Sequence, residues 1–376
     1  MHRTSIAKLF SILCLAAASA SRAYDIPATV SNDTSSALFT SSATSLDGPK
    51  IHPVNNSAFD WWYFDVVSAD PTSVASVVIV FYTSTATAFP FIPPSDSVTR
   101  AQISVSFPNG TIFSAFATAD GATVTADDNA SSGNWHGSGF QWSSNTGTSR
   151  YTIFVDSPEI GVQGTIKFHS VAPAHYPCGP MGAGQNMEVG PRIGWANAVP
   201  DAATTVDLVV KGTKLAFTGV GYHDKNWSDQ IFTSNVASWY WGHGRLGPYS
   251  IVWFDFLALN GTEYLSAYAA KDGKIIAASC ESNSIRVRPI GQNATYPPVL
   301  STGPPSGYHI TLDLQNAGTL EVDVSVMEKI ADSTPEYTRS VGNMSGVVVP
   351  VGAYKVESDP TVLGGKALFE QFKLTE

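Results

Sequence analysis

The chain has 376 residues and a formal net charge of −10, with charged residues at 14% and aromatic residues at 11%. So few charges and so many rings leave much apolar surface to bury or to offer a ligand, and an acidic balance without a basic run argues against nucleic acid and anionic membranes as partners. The length favours two domains.

Arg3 and Lys8 flank the start of an apolar run, Leu9 to Ala18, that closes on Ala18-Ser19-Ala20. Ten or so apolar residues are too few for a bilayer, where roughly 20 are needed. The pattern predicts a secretory signal over residues 1–20, with cleavage after 23 as the second option. Secretory-pathway or extracellular localisation and no stable membrane anchor are therefore expected. A leader over 21–54 follows, rich in Ser and Thr between Ser31 and Ser45. In such a chain the sequons at Asn32, Asn55, Asn109, Asn129, Asn260, Asn293 and Asn343 are expected to carry glycan, whereas Asn226 lies within a candidate site and is excluded. Cys14 leaves with the signal. Cys178 and Cys280 remain, open to one disulfide or to two buried thiols.

Apolar, β-branched runs of five to eight residues then recur between turn signals. Ser76–Tyr82 reads as a buried strand, and Gln102–Phe107 with Thr111–Ala117 as a hairpin. Strands also flank Lys211-Gly212, Asn260-Gly261 and Asp272-Gly273, the last two being strong hairpin signals. Pro173–Pro200, rich in Gly and Pro, reads as a long loop. The fold class is all-β, antiparallel, closing into barrels or sandwiches. The domain division falls near residue 234, giving 55–234 and 235–376.

Three segments could carry chemistry. In Phe59-Asp60-Trp61-Trp62-Tyr63-Phe64-Asp65, strand alternation puts Asp60, Trp62 and Phe64 on one face and Trp61, Tyr63 and Asp65 on the other. Desolvation beside aromatics would raise Asp60 toward acid–base duty; a hydrogen-bonded core aspartate is the plain alternative. Tyr222-His223-Asp224-Lys225-Asn226-Trp227 sets four polar side chains between aromatics, which fits a surface turn or a functional pocket. Trp239-Tyr240-Trp241-Gly242-His243-Gly244-Arg245 leads an aromatic strand to His243 and Arg245. There is no Gly-x-Ser-x-Gly elbow, P-loop, His-Glu-x-x-His or Cys-x-x-Cys. No metal, nucleotide or other cofactor is expected.

These segments, in this order, resemble the hydroxyneurosporene synthase-like family and, more closely, its fungal lipocalin-like Diels–Alderases. The resemblance runs from about residue 55 to the C-terminus. It implies two lipocalin-like antiparallel β-barrel or sandwich domains with a ligand pocket at and between them. It also implies a hydrophobic small-molecule substrate and a cofactor-independent [4+2] cycloaddition. The signal and sequons lean toward hetero-Diels–Alder coupling of a tropolone quinone methide with a terpene alkene. The alternatives are decalin formation from a polyketide polyene, a hydratase or dehydratase acting on a polyene, and a non-catalytic carrier of a hydrophobic metabolite. By resemblance, Asp60 stands where the decalin-forming members have a glutamate, and Lys366 matches their C-terminal lysine. Asp60, Lys366 and His223 are thus the expected catalytic residues. Trp62, Phe64, Tyr222, Asp224, Trp239, Trp241, His243 and Arg245 are the expected substrate contacts.

Overall fold

A computed structural model describes residues 22–42, 46–127, 130–352 and 361–376. The signal reading and Asn129 lie outside the described residues. Among the described residues the fold consists of two large, curled, lipocalin-like antiparallel sheets and a two-stranded ribbon, Ser36–Ala37 with Ile51–His52. The first holds 15 strands, from Arg22–Ile26 to Thr213–Ser228, and the second holds nine, from Val236–Leu246 to Leu363–Lys373. Among the described residues helix is confined to the 3-10 turns Phe232–Ser234 and Gln315–Ala317.

Two of the three hairpin signals share a backbone cause, whereas Asn260-Gly261, with positive φ at Gly261 alone, lies in a four-residue connection from Ala258 to Glu263 instead of the expected two-residue turn. Lys211-Gly212 and Asp272-Gly273 both carry positive φ at both positions, the turn geometry whose twist matches that of the flanking strands. The loop expected over Pro173–Pro200 is corrected, because the strand Ile193–Val210 begins inside it. Pro200 cannot donate to a ladder, and the pairing with Thr213–Ser228 skips register between Asn197 and Ala202 to accommodate it. The polar segment 222–227 is likewise strand rather than turn.

Aromatic residues are divided among three cores. Trp62, Phe64, Phe81, Trp135 and Trp142 fill the first barrel. Trp253, Tyr308, Ile310 and Phe369 fill the second. Between the sheets lie Trp61, Tyr63, Trp195, Tyr222, Trp239, Trp241 and Phe254. Polar ties cross the same interface. His243 Nε2 lies 2.9 Å from Asp65, Arg245 grips Asp201 through two nitrogens at 2.9 and 2.6 Å, and Lys366 Nζ donates to the Ser73 carbonyl at 2.8 Å. Cys178, beside the first sheet, is disulfide-bonded to Cys280, beside the second. Asn32, Asn109, Asn260, Asn293 and Asn343 are exposed, Asn55 is half-buried, and Asn226 is buried with Nδ2 donating to the Gly194 carbonyl at 3.2 Å.

Candidate active site

Register decides which side chains meet. In the pairing of Phe59–Ser68 with Thr213–Ser228, Phe64 lies opposite His223 and Trp62 opposite Lys225. Directly opposed residues share a face, and this face turns into the first barrel. There Phe64 stacks on His223 with centroids 3.7 Å apart, and Lys225 Nζ sits 4.2 Å from the Trp62 ring centroid. On the alternate face Tyr63 lies opposite Asp224 and Trp61 opposite Asn226. That face meets the second sheet.

Between the sheets is a cavity of about 360 Å³. Trp61, Tyr63, Tyr82, Asp224 and Asn226 line it from the first sheet, and Trp239, Trp241, Phe254, Tyr337, Arg339 and Glu370 from the second. Its walls are rings held edge to face: Tyr63 on Trp241 at 5.4 Å and Trp239 on Phe254 at 4.9 Å. One carboxyl is poised for proton transfer. Asp224 Oδ2 accepts from Trp195 Nε1 and from Tyr222 Oη, each at 2.7 Å. Burial pushes this carboxyl up to about 7, the two hydrogen bonds resist the rise, and the charge of Glu370 adds to it. An acid with that proton affinity can donate and recover a proton near neutral pH. Across the cavity Glu370 Oε1 accepts from Arg339 Nε at 2.6 Å and from Tyr337 Oη at 3.0 Å. Among the described residues no group of three or more His, Cys, Asp or Glu is placed to hold a metal ion.

Of the residues expected from sequence, Asp224, Trp239 and Trp241 line this cavity, and Tyr222 stands behind Asp224 as its donor. The others are placed elsewhere. Asp60 is buried in an ion pair with Lys225 and accepts the Lys50 amide at 2.7 Å; burial pushes Asp60 up and Lys225 down, and their contact opposes both shifts. His223 donates through Nδ1 to the Tyr63 carbonyl at 2.8 Å and faces Asp47 with Nε2 at 3.1 Å. Trp62 and Phe64 belong to the first barrel's core. They share a strand face, as alternation predicts, but it points away from the cavity because the second sheet covers the other one. His243, Arg245 and Lys366 are the inter-sheet ties described above, outside the cavity lining.

The sequence reading missed Trp61, Tyr63, Trp195, Tyr337, Arg339 and Glu370. Glu370 offered one signal, a carboxylate directly after the apolar residues Ala367-Leu368-Phe369 of an expected strand, since a buried charge demands a partner.

A family model described as Diels-Alderase-like matches residues 26–296. The quinolone epoxide rearrangement protein penF of Penicillium thymicola is 36% identical, covering 87% of this chain and 89% of its own. The quinolone epoxide rearrangement protein asqO of Emericella nidulans is 39% identical, over 82% of this chain and 85% of its own. Among solved structures, CghA with Sch210972 superposes with a TM-score of 0.71 over 94% of this chain and 99% of that one; at 17% identity this likeness speaks for the fold alone.

Proposed function

From the premise that the chain belongs to the Diels-Alderase-like family, we propose that it is an isomerase that rearranges a quinolone epoxide, or a close aromatic analogue, with Asp224 as proton donor. The observation that carries this reading is a carboxyl raised to about 7 at the wall of an aromatic cavity. Two relatives that cover more than four fifths of the chain, and are named for that rearrangement, support it.

The steps follow from the groups present. Asp224 gives its proton to the epoxide oxygen as a C–O bond breaks, and the carbon left behind carries positive charge. Trp61, Tyr63 and Trp241 line the space it would occupy, and aromatic rings stabilise a nearby cation. A 1,2-shift moves the charge to the oxygen-bearing carbon. The hydroxyl proton returns to the Asp224 carboxylate and a carbonyl forms, so the product is an isomer of the substrate.

The hetero-Diels–Alder coupling implied by the resemblance would occupy the same cavity, with shape contributing most and proton transfer little. A carrier would need neither. One experiment separates them. Purified protein is incubated with a quinolone epoxide and, separately, with a quinone methide plus alkene, alongside Asp224→Asn. The rearrangement reading expects the epoxide to isomerise and the variant to be slower by about 10²- to 10⁴-fold. Acceleration of the cycloaddition alone, indifferent to Asp224→Asn, would return the reading to a pericyclase; binding without acceleration of either would mean a carrier.

A further inference from the structure

The cavity holds a cation that the proton-transfer steps leave unused. Arg339 stands on the strand Tyr337–Val349 and is 9% exposed. Its guanidinium carbon lies 5.1 Å from the Tyr63 ring centroid. A guanidinium carries five N–H donors. Only Nε is engaged, by Glu370. The two terminal nitrogens meet no acceptor among the described residues, and the residue borders the open cavity. Donors that reach the open cavity can take an acceptor there, so a ligand that supplies one gains a charge-assisted hydrogen bond.

Charge selects the kind of acceptor. Glu370 already offsets Arg339, and at the rim Lys329 and Asp332 pair with each other at 2.6 Å. A ligand carboxylate would place a further negative charge near Glu370, and among the described lining residues both cations, Arg339 and Lys329, are already paired. A neutral carbonyl oxygen brings two lone pairs and no charge. We propose that Arg339 sets substrate specificity by taking the carbonyl oxygen of a neutral, planar lactam stacked among Trp61, Tyr63 and Trp241. The choice of a lactam rests on the quinolone reading above; the choice of a neutral oxygen acceptor rests on Arg339 and Glu370.

The test is a binding comparison, read by tryptophan quenching or calorimetry, with quinolin-2-one, 2-methoxyquinoline and quinoline-2-carboxylate. Wild type and Asp224→Asn are expected to bind the lactam about 10- to 100-fold more tightly than the methoxy compound, the range for a hydrogen bond to a charged group, and to bind the carboxylate least. Arg339→Gln combined with Glu370→Gln removes the charges together and should abolish the preference; Arg339→Lys, which keeps the charge but loses the fork, should reduce it. A preference that survives in the double variant, or tightest binding of the carboxylate, overturns the assignment. Should the double variant fail to fold, an unreduced preference in Arg339→Lys overturns it. An Arg339-dependent preference in a protein that rearranges no epoxide would sink the proposed reaction and leave this assignment standing, and turnover without any preference would do the reverse.

Discussion

The Tyr222 hydroxyl donates to the carboxylate of Asp224, two residues further along the same strand face, at 2.7 Å. Behind it the Tyr222 ring stacks on His243 at 4.3 Å, and His243 is held by Asp65. The acid of the cavity is therefore positioned by side chains that span both sheets.

That arrangement sets a pH dependence with a definite sign. If the protonated carboxyl is the working form, kcat/KM should fall as pH rises through about 7, where Asp224 loses its proton. Tyr222→Phe removes a donor that favours the ionised form, so the descending limb should move to higher pH. Glu370→Gln removes a charge that raises Asp224, so the limb should move to lower pH. Identical limbs in wild type and both variants would show that another group controls the reaction.

Asp60 and Trp62 should behave as structural residues. Asp60→Asn leaves Lys225 buried without its ionic partner and is expected to cost about 3–5 kcal/mol of stability. Trp62→Ala opens a hole in the first barrel, where Trp62 packs edge-on to Trp135 at 5.4 Å, at a similar cost of about 3–5 kcal/mol. Neither should change the product ratio of the protein that remains folded. Trp241→Phe, in the cavity wall, should change it. Denaturant melts and product chromatography check both halves; a product shift in Asp60→Asn with unaltered stability would contradict the placement.

The Cys178–Cys280 bridge closes a loop with a sequence separation of 102 residues and joins the two sheets. Replacing both cysteines by alanine should lower unfolding stability by about 2–5 kcal/mol, chiefly by freeing the unfolded chain. An unchanged urea midpoint for the double variant, measured against the oxidised protein, would refute this.

The secretory route is proposed from residues 1–20 and from exposed sequons. Protein made in a eukaryotic secretory host should lose the signal and gain glycan mass that enzymatic deglycosylation removes. Glycopeptide mapping should find sugar at some of Asn32, Asn109, Asn260, Asn293 and Asn343, and none at Asn226, whose amide is buried and bonded to Gly194. Retention inside the cell with the full N-terminus attached would end the proposal.

Local chemistry made the strands and their turns legible. Turn dipeptides such as Lys211-Gly212 and Asp272-Gly273, together with short β-branched runs, mark antiparallel sheet in the sequence, and both dipeptides carry positive φ. The loop expected over Pro173–Pro200 failed because the strand Ile193–Val210 tolerates Pro200 at an irregularity in register, and only the partner strand supplies that irregularity.

Alternation along Phe59–Asp65 also separated the two faces by sequence alone, Asp60, Trp62 and Phe64 from Trp61, Tyr63 and Asp65. It could not say which face meets a ligand. Every residue of Phe59–Ser68 is buried, one face by its own barrel and the other by a second sheet contributed by residues far along the chain. Burial on both sides removes the apolar–polar contrast that normally marks a strand's exposed face. The packing of one sheet on the other decided the matter: it buried Asp224 among rings, drew Arg339 and Glu370 to the opposite wall, and left Asp60 bound to Lys225 and His223 facing Asp47.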